Sequence, residues 1–173
     1  MNYFLTIENA KRDGVRVTER GAGSQDAGAI RPAEGESYVE MLVKQRPEPE
    51  YARFRVCYEL FLNSQHSAEA MYATLVHELG HLYCGHLGTP NAKWWPDRRG
   101  LSHELREFEA ESVCYLLCSR LGIDNPSAEY LSGYIKNHQA TPAISIECVM
   151  KSSTLIEQMG RRRLKPRSTR NTI

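Results

Sequence analysis

This chain of 173 residues has no C-x-x-C pair, no long apolar run and little net charge, and each shortage narrows what it can be. Five cysteines are an odd number (Cys57, Cys84, Cys114, Cys118, Cys148), so neither a disulfide scaffold nor a zinc knuckle is indicated. Cys114 and Cys118, four apart on an apolar helical pattern, read as small core residues. No apolar stretch approaches the ~20 residues that span a bilayer, which argues against a membrane partner. The N-terminal MNYFLTIENAKRDG carries no basic leader before its short apolar run, so a cytoplasmic protein is expected. The net charge is only +1, but Arg161, Arg162, Arg163, Lys165, Arg167 and Arg170 crowd the last thirteen residues and leave the remainder near −5. We therefore expect one domain over 1–160 and a basic disordered tail over 161–173, with nucleic acid a further partner through 161–170.

What the chain does have is Thr74-Leu75-Val76-His77-Glu78-Leu79-Gly80-His81, an H-E-x-x-H inside an apolar helical pattern. Four residues apart on a helix, His77 and His81 lie on one face and can converge on one metal ion. Glu78, adjacent to His77, sits where a general base acting on water belongs. The plain alternative is a solvated helix with incidental histidines.

The first half reads as strands and the second as helices, so the fold class is α+β, a small and mostly antiparallel sheet followed by a helical half. Strands are expected at Tyr3–Ile7, around Val15 and Val17, at Tyr38–Val43 and at Arg53–Leu62. The last alternates Phe54, Val56, Tyr58, Leu60 and Leu62 against Arg53, Arg55, Cys57 and Glu59. Residues 21–35, rich in Gly and Ala, read as a mobile loop. Ser67 caps the H-E-x-x-H helix, and a second helix runs from Ser102 to a stop at Gly122. A third begins at Asn125-Pro126 and a fourth covers about Ser145 to Met159.

Two histidines need a third ligand. The metzincin continuation fails on register, since it requires glycine where Cys84 stands and histidine where Leu87 stands. His86 lies about 500° around the helix from His81 and points away, unless a turn after Gly85 returns it. The second helix offers Glu107, Glu109 and Glu111. Glu109 shares its face with Val113 and Leu116, the side expected to pack on the first helix, and a buried carboxylate needs a partner such as a metal. Ala110 next to it permits close helix approach. Glu109 is thus expected as the ligand ahead of Glu111, giving a His2Glu zinc site with one open position. Three solvated glutamates are the plain alternative.

These residues resemble the ImmA/IrrE family of zinc metallopeptidases, and more distantly the peptidase-like domain of ArdC antirestriction proteins. The likeness rests on Thr74–His81, Gly85-His86-Leu87-Gly88 and Glu109-Ala110-Glu111-Ser112-Val113 with Leu116-Leu117, within residues 54–135. It implies a gluzincin-like fold with Zn2+ held by His77, His81 and Glu109, and Glu78 as base. It also implies a protein or peptide substrate, such as a repressor or other transcriptional regulator. The chain departs from some relatives in having no recognisable helix-turn-helix.

The expected activity is zinc-dependent hydrolysis of peptide bonds, in which Glu78 takes a proton from water and passes it to the leaving amine. His103, Arg106, Tyr83 and Tyr115 lie near the motifs as candidates for the oxyanion. Trp94-Trp95 reads as a lid or as ordinary packing, and strand Arg53–Leu62 as an edge for an extended peptide. The rival is a non-catalytic zinc module that docks a partner protein or DNA. Glu78 argues against it, because a structural site needs no base there.

Overall fold

The computed structural model describes residues 2–21, 23, 26–138 and 142–167. Helix α1 spans Tyr3–Ala10, where the sequence suggested a strand. Tyr, Phe, Thr and Ile favour strands locally, but Asn2 caps the segment by accepting from the Leu5 N–H, and Thr6, Asn9 and Ala10 bury at helical spacing. Tertiary packing against the last helix decides the outcome.

Five strands follow: β1 Val15–Arg20, β2 Gly28–Pro32, β3 Tyr38–Lys44, β4 Glu50–Arg55 and β5 Tyr58–Asn63. The single expected strand at 53–62 is therefore two, parted at Val56-Cys57. The stretch read as a loop contains β2. One sheet has the order β1-β5-β2, with β1 parallel and β2 antiparallel to β5. The other is the antiparallel β3-β4 hairpin. Strand β5 is central and has no free edge; the outer edge of this sheet beside the H-E-x-x-H helix belongs to β2. Gly28 makes that placement possible, since a Cβ there would stand 2.6 Å from the Thr74 methyl and 2.5 Å from the Phe61 carbonyl oxygen.

Helices α2 Ala68–Tyr83, α3 His103–Leu121, α4 Ser127–His138 and α5 Ile146–Arg161 complete the α+β chain. Ser67, Ser102 and Ser145 each cap a helix by accepting the N–H three residues on, and Gly122 ends α3 in the left-handed conformation. The core joins Leu60 and Leu62 of β5 to Leu75, Leu79 and Leu82 of α2 and to Val113 and Leu117 of α3. Among the described residues no helix is long and apolar enough to cross a membrane.

Over 161–167 the basic segment packs on the domain instead of lying free. Leu164 N–H donates to Asn9 Oδ1 at 2.8 Å and Arg163 donates to the Leu42 carbonyl at 2.7 Å. Arg167 pairs with buried Asp13 and lies over the Trp94 ring at 5.1 Å. Asp13 is the anchor that the charge pattern concealed. Residues 168–173, with Arg170, lie outside the described residues.

Candidate metal centre

Helices α2 and α3 touch at Gly80, where an added Cβ would stand 3.3 Å from the Cα and carbonyl oxygen of Ala110 and from Val113 Cβ. That close approach fixes which glutamate meets the histidines. At 100° per residue, Glu107 and Glu111 lie on one side of Ala110, and Glu109 lies about 160° around the helix from Glu107. Glu107 accordingly faces both rings, 3.6 Å from His77 Nε2 and 3.4 Å from His81 Nε2. The two Nε2 atoms are 3.1 Å apart. His77, His81 and Glu107 each offer an atom within 4.8 Å of the others. All three are partly exposed, so the group opens to solvent.

Glu109, the ligand expected from the sequence, is elsewhere. It is fully buried and accepts from Arg98 Nη1 and Nη2, at 2.5 and 2.7 Å, and from the Ser145 N–H at 2.7 Å. His86 Nε2 lies 2.9 Å from it. The expectation that a buried carboxylate needs a partner was sound, but the partners are Arg98, His86 and a backbone amide. Burial opposes its ionisation, yet these bonds hold the Glu109 pKa at about 2. Cys84, His86 and Glu109 also cluster within ligand reach. Burial lifts the Cys84 thiol to about 12, and Arg98 already neutralises Glu109, so this group does not suit a cation.

The electrostatics of the first cluster favour a cation. Burial works against charge on His77, but Glu107 and Glu111 outweigh it and lift its pKa to about 10. Glu107 falls well below the usual carboxylate range, chiefly through His77 and His81. Burial lowers the pKa of His81. Glu111 lies 2.8 Å from His77 Nδ1 and holds a proton on that nitrogen, so Nε2 is the atom that would ligate on giving up its own proton.

Glu78, also buried, accepts the Ile30 N–H at 2.9 Å. One carboxylate oxygen is thus tied to the β2 edge while the group lines a cavity of about 260 Å³ with His77, His81, Glu107 and Arg106. Burial raises the Glu78 pKa, against the pull of His77 and the Ile30 amide. Of the oxyanion candidates, His103 and Arg106 line this cavity. Arg106 Nε is buried without a hydrogen-bond partner among the described residues. Tyr83 is buried and donates to Asp13, and Tyr115 lies exposed on α3. Trp95 is buried and donates to the Gly88 carbonyl, and the tryptophan pair lines a different cavity. They pack rather than form a lid over the histidines.

The sequence carries one signal for Glu107 and one for β2. Pairing Gly80 with Ala110 places Glu107 one turn from the contact, on the histidine side. The Ala27-Gly28-Ala29-Ile30 run is a short strand whose pairing is non-local.

An α+β chain that presents H-E-x-x-H on one helix and a carboxylate from the next has the build of a metallopeptidase. The family model of Peptidase M78, the IrrE N-terminal-like domain, matches residues 35–121, half of the chain, and the chain belongs to that family. The match takes in α2 and α3 and leaves β2 outside. No curated protein and no solved structure matches the chain.

Proposed function

We propose that this chain is a zinc-dependent endopeptidase whose metal is held by His77, His81 and Glu107, with Glu78 as general base. The observation that carries this reading is the spacing of the three donors. Ligands about 2.0–2.1 Å from a tetrahedral zinc stand about 3.3 Å from one another. Here the two Nε2 atoms are 3.1 Å apart, and the two oxygens of Glu107 stand 3.6 Å from His77 Nε2 and 3.4 Å from His81 Nε2 respectively. Two imidazoles and one carboxylate suit zinc, and the open side leaves a position for substrate.

Zinc supplies Lewis-acid chemistry at the scissile carbonyl. Glu78, with one oxygen bound to the Ile30 amide, uses the other to take a proton from water and return it to the departing amine. Arg106, whose Nε has no partner among the described residues, is a cation lining the cavity that can serve the carbonyl oxygen as charge develops on it. The outer edge of β2 serves an extended peptide by strand addition. A neighbouring cavity of about 440 Å³, shared by His77 and Glu78 and walled by Ala70, Ala73, Thr74 and Pro126, receives a side chain of that peptide. The substrate we favour is an extended segment of a regulatory protein such as a repressor.

The test is metal content together with hydrolysis of candidate regulators by the wild type and by Glu78→Gln. The reading expects one zinc per chain in both and cleavage only by the wild type. A variant that keeps both zinc and full biological activity would favour a non-catalytic zinc module instead.

A further inference from the structure

His86 is buried five residues beyond His81, in the wall of the same cavity but not among the three proposed ligands, and its two ring nitrogens bridge two groups. Nδ1 lies 3.0 Å from His81 Nδ1 and Nε2 lies 2.9 Å from Glu109. With His86 as the neutral imidazole, the donors and acceptors in this chain can be assigned in one order. Arg98 and the Ser145 N–H only donate, and they keep Glu109 an acceptor. An ionised Glu109 requires the proton of His86 on Nε2. That leaves His86 Nδ1 as an acceptor, which requires the proton of His81 on its own Nδ1. The lone pair of His81 is then on Nε2, the atom 3.1 Å from His77 Nε2 and 3.4 Å from Glu107.

We propose that His86, Glu109 and Arg98 form a positioning relay that fixes the tautomer and ring orientation of His81. The inference rests on the metal reading for its purpose, but not for its geometry. Each part has a place: Glu109 is fully buried, and Arg98 is held from a second direction by donating to the Cys84 carbonyl at 3.2 Å. Arg98 N–H donates to the Gly85 carbonyl at 2.8 Å, which ties its loop to the end of α2. Glu111 gives His77 the same service directly, so the two histidines are oriented by different means.

The test compares the wild type with His86→Leu, which can neither accept nor donate, and His86→Gln, which has one acceptor and one donor. The readouts are the tautomer of His81 by 15N NMR in protein stripped with a chelator, and zinc affinity by competition with a chromogenic chelator. The relay predicts His81 protonated on Nδ1 in the wild type, loss of that preference in His86→Leu and its recovery in His86→Gln. Zinc affinity should fall about 10–100-fold in the leucine variant and recover in part in the glutamine variant. A His81 protonated on Nε2 in the wild type, or a leucine variant with unchanged tautomer and affinity, overturns the relay. If His86→Leu does not fold, His86→Phe, which also can neither accept nor donate, replaces it: an unchanged His81 tautomer there is equally fatal. If the wild type binds no zinc, the metal reading fails while the tautomer still decides the relay.

Discussion

Gly80 of α2 and Ala110 of α3 face each other so closely that a Cβ on the glycine would stand 3.3 Å from the alanine Cα. That contact sets the roll of α3 on α2 and brings Glu107 to the two histidines. Gly80→Val should therefore harm the site through the helix interface. We expect a loss of about 1–3 kcal/mol in stability from overpacking, measured by denaturant unfolding, and weaker zinc binding measured by chelator competition. Unchanged zinc affinity with lowered stability would separate helix spacing from ligand placement.

Glu107 and Glu109 are two residues apart and should answer differently to alanine. Glu107→Ala removes a proposed ligand and should abolish stoichiometric zinc while costing less stability at its partly exposed position. Glu109→Ala should keep zinc, bound more weakly, but lower stability by about 3–5 kcal/mol, since it strips a buried pair of one partner. Metal analysis and thermal unfolding of the two variants check this. Loss of zinc in Glu109→Ala alone would return the ligand to Glu109.

Tyr83 makes a prediction away from the metal. Its hydroxyl donates to Asp13 at 2.8 Å, and burial, then the Asp13 charge, raises its pKa well above the usual value. A folded-state pKa above the unfolded ~10 means that its contribution is complete below pH 10 and declines as pH rises beyond it. The wild type should lose stability above pH 10, and Tyr83→Phe should show a shallower decline from a lower starting stability. Unfolding measured from pH 8 to 11.5 tests both, and parallel curves would count against the assignment.

The cavity beside His77 and Glu78 predicts a change in specificity. Filling it with Ala73→Phe should lower kcat/KM for a cleaved peptide about tenfold or more, with zinc content unchanged. Peptides varied at one position should show which side chain the wild type prefers, and the same preference in the variant would remove the cavity from substrate binding.

Much of this was readable in the chain because it is local. The H-E-x-x-H helix declares itself through a four-residue spacing, its Ser67 cap and a continuous apolar stripe; α3 does so through Ser102 and Gly122. What escaped the sequence depends on neighbours distant along the chain. Strand β2 is recognisable only beside β5, about thirty residues away, and α1 only against α5. Glu109 does sit on a buried face, but α3 is buried on two sides. Which side meets α2 is decided by Gly80 and Ala110, and Arg98, the partner of Glu109, arrives from a loop with no helical pattern.

On the proposed reading α2 and α3 hold the metal between them, through His77, His81 and Glu107, and Glu78 of α2 moves the proton. The most direct test is zinc content measured alongside cleavage of an identified protein substrate, for the wild type and for Glu78→Gln. The account predicts one zinc per chain in both proteins and a fall in cleavage of at least about 100-fold in the variant. Equal cleavage by the two zinc-loaded proteins would contradict it.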